Sequence, residues 1–531
     1  MRDSDQHSPH QEAGRPPEKA SLIPSVRVQN AVTVQKFQRV TFLWMIIAGL
    51  LFLTFSLDGY FLRMYQSSFF PALRAEWFYA VLTLHGVGMV GLWFVVSMAA
   101  VSYLLVNYIR PPLWASWLAL WGTLTGFVLL IVATTEGLFG TGWYFLYPLP
   151  LYSQGTWPAW ATGCFFAALV VFCSVWLIWS VAMIAAILRR YPLRYALGWH
   201  YLSVEARKRD LDVPPLVLIT IVALIPGVAG FLDAFILFTF YLVQWQIKGF
   251  VANALLMKNL TFFFGHLAVH ATMYLGVAVV YELLPTFSGR SWKMSKRIVL
   301  AWNAVLVMVL FAYFHHLYMD FVQPRMLQII GQMMSYFSAV PAAVVSIFDG
   351  LWVVYGSRMR WTIASTLMFL GLMGWAVGGV GAVIDSTISV NSVFHNTLWV
   401  PAHFHTYYLM GVVLMLLGFA SNLGAELSGF RDSPLIRRLT VTLFVIGGYG
   451  FLLMSFWAGA HSIPRRYAVY PDELAWGTYE ARVSVVFIGV FILGLLLYLW
   501  ETGKCYVKIF WTWLGKGQLG SFAPLGSRSR R

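Results

Sequence analysis

The sequence predicts an all-α integral membrane protein, in which about twelve transmembrane helices form one bundle and both termini are cytoplasmic. Of its 531 residues, 59% are hydrophobic and only 11% are charged, against about 25% charged in a typical soluble domain. Mean hydropathy is +0.71, and apolar stretches long enough to cross a bilayer recur along the chain. The predicted spans are approximately 40–62, 77–107, 114–135, 161–187, 214–243, 253–286, 298–318, 328–355, 361–384, 398–424, 439–460 and 483–502.

The formal net charge of +15 is explained by membrane topology rather than by nucleic-acid binding. An even number of spans places both termini on one side of the membrane. About 28 of the 36 Lys and Arg fall in the tails and loops of that side, including the basic loop at 189–209, which identifies it as cytoplasmic by the positive-inside rule. We therefore expect a multi-pass protein surrounded by lipid, with no nucleic-acid partner.

Composition divides the chain into three regions. Residues 1–38 are predicted to form a polar cytoplasmic tail, 39–503 the twelve-helix domain and 504–531 a basic cytoplasmic tail. We expect no cleavable signal peptide. The cysteines show no metal-binding spacing, so neither disulfides nor thiolate–metal bonds are expected. They are Cys164, Cys173 and Cys505.

Two short motifs place histidines at the edges of long apolar stretches, where an ionisable ring is costly. His315 and His316 are adjacent in FHHLY, and helical neighbours are about 100° apart, so both rings can bind one metal. His403 and His405 are two residues apart in PAHFH, so they point about 200° apart and serve two different centres. The second motif predicts a helix wedged between two haems.

The predicted topology places two more histidines at the same depth. At a rise of about 1.5 Å per residue, His85 in the second span and His266 in the sixth lie near the level of the two motifs. Six histidines from four helices then share one layer in the outer part of the bilayer. This convergence predicts a metal or haem constellation rather than scattered core histidines.

A pair of arginines follows the eleventh span just above this layer. Arg465 and Arg466 lie in the outer-loop segment IPRRYAVYPD. Paired guanidinium groups suit carboxylates such as haem propionates. They could also anchor the helix end at the membrane interface, and the two roles are compatible.

At these motifs the chain resembles subunit I of the haem–copper oxidase superfamily, over residues 40–502. LHG in the second span, GH in the sixth, HH in the seventh, HNTLWVPAHFH in the tenth and PRRY after the eleventh stand in the family's order. Segments 140–150 and 467–481 are also similar to those of cytochrome c oxidases. The pair His395 and Asn396 resembles the B-type branch of the family.

The resemblance implies two haems, whose type it does not fix. His85 and His405 would be axial ligands of a six-coordinate, low-spin haem that receives electrons. His403 would be the single protein ligand of a five-coordinate, high-spin haem. Phe404 would lie on the electron path or would simply pack between the two. His395 would contact a metal or a propionate at the outer mouth, or would be an interfacial histidine without such a role.

The resemblance also implies a second metal opposite the high-spin haem, bound by His266, His315 and His316. Three imidazoles suit copper better than iron and leave an open position for a small gas. The chain has no CuA or CxxCH motif, which implies a separate cupredoxin or cytochrome subunit of the subunit II type and a cytochrome c-like electron donor. The implied location is the inner membrane of a bacterial or archaeal cell.

One departure from the family's pattern concerns the substrate. Oxygen-reducing members carry a tyrosine one turn beyond the first copper ligand or on the seventh span, and it supplies an electron and a proton when the O–O bond breaks. The corresponding residues here are His270, in GHLAVH, and Val309, while Tyr313 and Tyr318 have a spacing that places neither at the centre. Nitric oxide reductases of the superfamily lack the tyrosine, because joining two NO molecules needs only two electrons. The sequence therefore favours reduction of NO to N2O over reduction of O2 to water.

The role of His270 is open at this point. It follows His266 by one helical turn on the same face, and could be a fourth metal ligand, a proton donor to bound NO, or a hydrogen-bonded core histidine. The best-known NO reductases carry glutamates near this ligand and use iron as the second metal. No carboxylate occurs in this turn, because Glu282 lies sixteen residues beyond His266.

Acidic residues in or near the spans are candidates for proton relays or for helix-end roles. They are Asp58, Glu136, Asp233, Glu282, Asp349 and Asp385. They do not by themselves support proton pumping. A polytopic transporter would carry no haem, and a dihaem cytochrome b would need paired histidines at two depths, so both alternatives explain the pattern less well.

Overall fold

The computed structural model describes residues 31–203, 212–319 and 322–516. In these ranges the structure is helical, with one isolated β-bridge between Thr397 and Pro464. Within the described residues, twelve helices are long and apolar enough to span a membrane. The predicted all-α membrane fold and the number of spans are therefore confirmed. Most of the predicted tail at 1–38 and part of that at 504–531 lie outside the described residues.

The spanning helices are numbered here in chain order. They are α1 (Ala31–Gln66), α2 (Ala75–Leu105), α3 (Leu113–Thr135), α4 (Ala159–Leu188), α5 (Pro215–Gln246), α6 (Ala254–Ser288), α7 (Lys296–Ala312), α8 (Arg325–Val354), α9 (Ile363–Ser386), α10 (Trp399–Ser428), α11 (Pro434–Ala460) and α12 (Ala475–Lys516). Helices α1 and α12 are longer than the spans predicted at 40–62 and 483–502. Their ends continue as helix beyond the apolar stretch that spans the hydrocarbon core.

Three helices form the inside of the bundle. The most apolar windows of α2, α6 and α10 are 89%, 83% and 78% buried, and these helices pack against one another. A helix that is apolar all round must be surrounded by other helices or by lipid. The remaining helices surround this core, and α1 packs against α12. The histidines of the second, sixth and tenth spans are therefore carried by the innermost helices.

Local signals in the sequence fix where two of the helices near the site begin. The side chain of Asn253 accepts a hydrogen bond from the backbone N–H of Leu256 at 2.9 Å and caps the start of α6. Thr362 and Ser365 form a reciprocal capping box at the start of α9. At the other end of α6, Gly289 adopts φ +71° and ends the helix in the left-handed conformation.

Two segments that carry site residues depart from regular α-helix. His315 and His316 lie on a 3-10 turn, Tyr313–Leu317, rather than on the end of the seventh α-helix as expected. With about three residues per turn, neighbouring side chains there are about 120° apart, yet the two rings stay 4.0 Å apart between centroids. Helix α10 contains a π-helical segment, Tyr408–Val413, directly after the two histidines of its first turns. Such π-helical turns occur often at functional sites.

Candidate functional site

One cavity of about 520 Å³ opens among α1, α2, α6, α10, α11 and the turn after α7. All nine site residues predicted from the sequence line it. They are His85, His266, His270, His315, His316, His403, His405, Arg465 and Arg466. These side chains therefore converge on one cavity, while their common depth in the membrane and their binding of metal and haem stay predictions.

Three of these histidines form a compact cluster. The ligand atoms of His266, His315 and His316 all lie within 4.8 Å of one another. Nδ1 of His266 and Nε2 of His316 are 3.4 Å apart. Two nitrogens that each bind one tetrahedral metal at about 2 Å would be about 3.3 Å apart. The spacing therefore fits a shared metal ion better than a direct hydrogen bond.

The hydrogen bonds around this cluster define which nitrogen faces the metal position. The hydroxyl of Ser335, on α8, donates to the carbonyl of Gly331 at 2.6 Å. Its oxygen is therefore free to accept from Nδ1–H of His315 at 3.0 Å, which leaves Nε2 of His315 unprotonated. A metal-bound histidine commonly donates its other N–H in this way.

A second pair of histidines lies on the other side of α10. The ring centroids of His85 and His405 are 6.5 Å apart and their planes differ by 16°. Nδ1 of His85 lies 2.8 Å from the carbonyl of Phe55, and Nδ1 of His405 lies 2.7 Å from that of Pro401. Each Nδ1 must donate, so each Nε2 is the free nitrogen. Two imidazoles bound to opposite sides of one metal at about 2 Å have centroids about 6 Å apart, as here.

Close backbone approach makes room for these rings. A Cβ atom on Gly59 of α1 would lie 2.7 Å from Cε1 of His85, and one on Gly381 of α9 would lie 2.5 Å from Nδ1 of His403. Either distance is a steric clash. Glycine at these two positions is therefore required for the observed ring positions.

His403 points away from His405, as the two-residue spacing predicts. Its Nε2 lies 3.9 Å from Oδ2 of Asp385, and its Nδ1 is buried with no hydrogen-bond partner among the described residues. Phe404, between the two histidines, stacks on Tyr408 with centroids 5.0 Å apart. This ring separates the two histidine environments.

The outer end of the cavity is positively charged. Arg465 donates from Nη2 to the side-chain oxygen of Asn396 at 3.0 Å, while its Nε is buried and has no hydrogen-bond partner in the described part of the chain. The guanidinium of Arg466 lies 3.4 Å from the ring centre of Tyr144. Burial, followed by the charge of Arg466, lowers the pKa of Arg465 to about 9. A buried guanidinium that lacks a hydrogen-bond partner on one nitrogen is stabilised by an anion such as a carboxylate.

The family is shown by comparison with known proteins. A family model described as Cytochrome C and Quinol oxidase polypeptide I matches residues 39–501. The chain belongs to the haem–copper oxidase subunit I family. Members of this family carry haem and copper. The two groups of histidines, and Nε of Arg465 with no partner among the described residues, fit such cofactors.

Similar proteins support this assignment along most of the chain. Cytochrome c oxidase subunit 1 of Thermus thermophilus is 26% identical over 453 residues, which cover 80% of this chain and 75% of the relative. The haem–copper oxidase subunit I+III of Aeropyrum pernix is 25% identical over 494 residues, which cover 87% of this chain and 55% of the relative. A haem–copper terminal oxidase dimer solved by cryo-EM has a similar fold, with a TM-score of 0.67 and 19% identity, over 89% of this chain and 84% of that chain.

His270 occupies a defined place beside the three-histidine cluster. Its Nδ1 donates to the carbonyl of His266 at 2.8 Å, and the two rings are 4.1 Å apart between centroids. The donated Nδ1–H leaves Nε2 of His270 as an acceptor. His270 does not belong to the group whose ligand atoms lie within 4.8 Å of one another, which favours its roles as proton donor or oriented core histidine over that of a fourth ligand.

The tyrosines near the HH pair lie away from the cavity. Tyr318 donates to the carbonyl of Ser386 at 2.9 Å, and Tyr313 lies 3.5 Å from the side chain of Asn259. Neither lines the cavity, whereas Tyr407 does, with its ring 5.2 Å from that of His403. Val309 is fully buried in α7.

Sequence reasoning missed three charged residues in or beside the cavity, one of which is Lys258, a lining residue on α6. Arg63, on α1, lines the cavity and pairs with Glu480 of α12, and both side chains are buried. Arg63 also donates to Gln66 at 2.6 Å. An arginine at the end of an apolar span is a recognisable signal, but its partner lies 417 positions away and no local pattern identifies it.

Proposed function

We propose that this chain is the catalytic subunit of a membrane haem–copper oxidoreductase that reduces NO to N2O. The observation that carries the choice of substrate is His270. It stands one turn beyond His266, where oxygen-reducing relatives have a tyrosine, and it is fixed by its hydrogen bond to the carbonyl of His266. A histidine there can hold and deliver a proton, but its ring is not an electron source comparable to a phenol.

The arrangement of histidines supports two haems and one copper ion. His85 and His405 would hold the low-spin haem, His403 the high-spin haem, and the three-histidine cluster the copper. These groups would supply the electrons and the binding position for the gas. Hydrogen bonds at Nδ1 fix the tautomers of His85, His405 and His315, and Phe404 separates the two proposed haem environments.

The cationic outer end supports haem carboxylates as the groups that Arg465 and Arg466 bind. Reduction of two NO molecules to N2O and water consumes two electrons and two protons. Nε2 of His270, the ring nitrogen not used in its backbone hydrogen bond, would first accept a proton and then pass it on, so that His270 would deliver one of these two protons.

A second candidate function is reduction of O2 to water, with or without proton pumping. Two observations favour it. The relatives named above are cytochrome c oxidase and haem–copper oxidase subunits, and Tyr407 presents a phenol to the cavity beside His403. It would require Tyr407, or another residue, to supply the electron that the usual tyrosine provides.

The electron donor and partners are proposed from the family. We expect a subunit II-like cupredoxin or cytochrome subunit that receives electrons from a cytochrome c-like donor and passes them to the low-spin haem. We place the protein in a bacterial or archaeal inner membrane, with both termini and the tails at 1–38 and 504–531 on the cytoplasmic side. The even number of spans and the excess of basic residues on one side support this orientation.

The proposal is tested by replacing His270 in the purified, haem-loaded complex. His270→Tyr is expected to lower N2O formation and raise O2 uptake, whereas His270→Gln, which keeps a polar side chain without a titrating ring, should lower N2O formation alone. Both rates are measured by gas analysis for each variant and the wild type. An unchanged ratio of the two rates in both variants would show that His270 does not determine the substrate.

A further inference from the structure

The cavity contains one carboxylate in a cationic lining. Among the described residues that line it, four carry a permanent positive charge, and Asp385 is the one acidic side chain. The positive residues are Arg63, Lys258, Arg465 and Arg466. Asp385 lies at the outer end of α9 and is 8% exposed. A buried carboxylate at this depth is costly unless its contacts compensate it.

Both oxygens of Asp385 have defined neighbours. Oδ1 accepts a hydrogen bond from Nε1–H of Trp399 at 2.6 Å, and Oδ2 lies 3.9 Å from Nε2 of His403. The backbone carbonyl of Asp385 accepts from the side chain of Asn391 at 2.7 Å. The indole of Trp399 stacks on Phe394 with centroids 4.2 Å apart. The carboxylate is therefore anchored on one side and directed at His403 on the other.

His403 lacks a hydrogen bond that three other histidines of the site make. In His85, His405 and His315, Nδ1–H donates a hydrogen bond to an oxygen at 2.7–3.0 Å. Nδ1 of His403 has no partner in the described chain, so no hydrogen bond of this kind orients its ring. The charged side-chain group beside the ring is the carboxylate of Asp385, whose Oδ2 at 3.9 Å from Nε2 is beyond hydrogen-bond distance and so acts on His403 through its charge.

We propose that Asp385 is a positioning residue for His403 and that its carboxylate sets the reduction potential of the haem that His403 binds. The inference rests on the proposed function, in which His403 holds the high-spin haem. A negative charge beside the ligand stabilises the more positive, oxidised iron and so lowers the potential. Trp399 determines where that charge lies, because its N–H fixes one oxygen of the carboxylate.

The test compares variants of the purified, haem-loaded complex by anaerobic redox titration and by resonance Raman spectroscopy. Asp385→Asn removes the charge with little change in shape, and is expected to shift the potential of the high-spin haem upward and to lower the frequency of its iron–histidine stretching band. Trp399→Phe keeps the ring stacked on Phe394 but removes the anchoring N–H, and should shift both readouts in the same direction by less. The low-spin haem should be unaffected, as should both haems in Asp349→Asn, where the acid lies near the far end of α8.

The outcomes separate this inference from the proposed function. High-spin haem present in normal amount, with potential and stretching band unchanged in both variants, would overturn the role of Asp385. Absence of a histidine-bound high-spin haem from the wild-type complex would overturn the proposed function itself. If Asp385→Asn fails to assemble, Trp399→Phe decides, because it leaves the carboxylate in place: an unchanged potential there contradicts the proposal.

Discussion

The rings of His85 and His405 lie nearly parallel, with centroids 6.5 Å apart, and each holds its Nδ1 against a backbone carbonyl. The two nitrogens that remain can bind one iron from opposite sides. His403, on the far side of the same helix, has no part in this pair. The positions proposed for the low-spin and high-spin haems are therefore separated by the thickness of one helix.

Removal of one ring of this pair should abolish only one haem. His405→Ala is expected to eliminate the low-spin haem and electron entry, and to retain the high-spin haem because His403 faces the other way. The haem content and optical spectrum of the purified variant measure this. His461→Ala, at the exposed end of α11, is the matched control and should keep both haems. Loss of both haems or of neither from His405→Ala would contradict the assigned pairing.

The hydroxyl of Ser335 should control the affinity of the three-histidine cluster for its metal. Ser335→Ala removes the acceptor for Nδ1–H of His315, and loss of such a contact lowers metal affinity by about 10–100-fold. Metal content after competition with a chelator is the measurement. Ser346→Ala, on the same helix but bonded to Tyr281, should bind metal as the wild type does. Equal affinity in the two variants would show that Ser335 does not orient His315.

The buried pair of Arg63 and Glu480 should be important for stability. Glu480→Gln leaves the Arg63 guanidinium without its charged partner, which costs about 3–5 kcal/mol when such a pair is buried. The thermal unfolding midpoint in detergent should fall clearly. Glu76→Gln breaks the pair with Arg74, whose side chain is 70% exposed, and should leave the midpoint unchanged. A midpoint in Glu480→Gln equal to that of this control would contradict the prediction.

His395 should not titrate in the physiological range. Burial lowers its pKa to about 4, and the positive charges of Arg465, Lys258 and Arg466 act in the same direction. A lowered pKa favours the neutral ring, so His395 gains a proton only as the pH falls toward 4 and is neutral from about pH 5 to 8. The pH profile of turnover should keep its shape in His395→Gln over that interval. Disappearance of an ionisation near pH 6–7 in this variant would refute the assignment.

Much of the fold and part of the site could be predicted from the sequence, because both depend on local patterns. Apolar stretches determine the spans, and the spacing of His403 and His405 determines that they face opposite sides of α10. The 3-10 turn under His315 and His316 was not predicted, since it depends on how that turn packs against α8. Contacts between distant residues were also missed: Asp385 was recognised only as one of several acids, because its position beside Trp399 and His403 follows from the packing of α9 against α10.

Turnover of the purified wild-type complex, with its partner subunit and a reduced cytochrome c-like donor, tests the central claim most directly. N2O formation from NO and uptake of O2 are measured separately at matched gas concentrations. We expect fast N2O formation with slow O2 uptake, because His270 replaces the phenol that O–O cleavage requires. Fast reduction of O2 to water, without release of peroxide, would contradict this expectation. Another residue, such as Tyr407, would then supply the electron that the usual tyrosine provides.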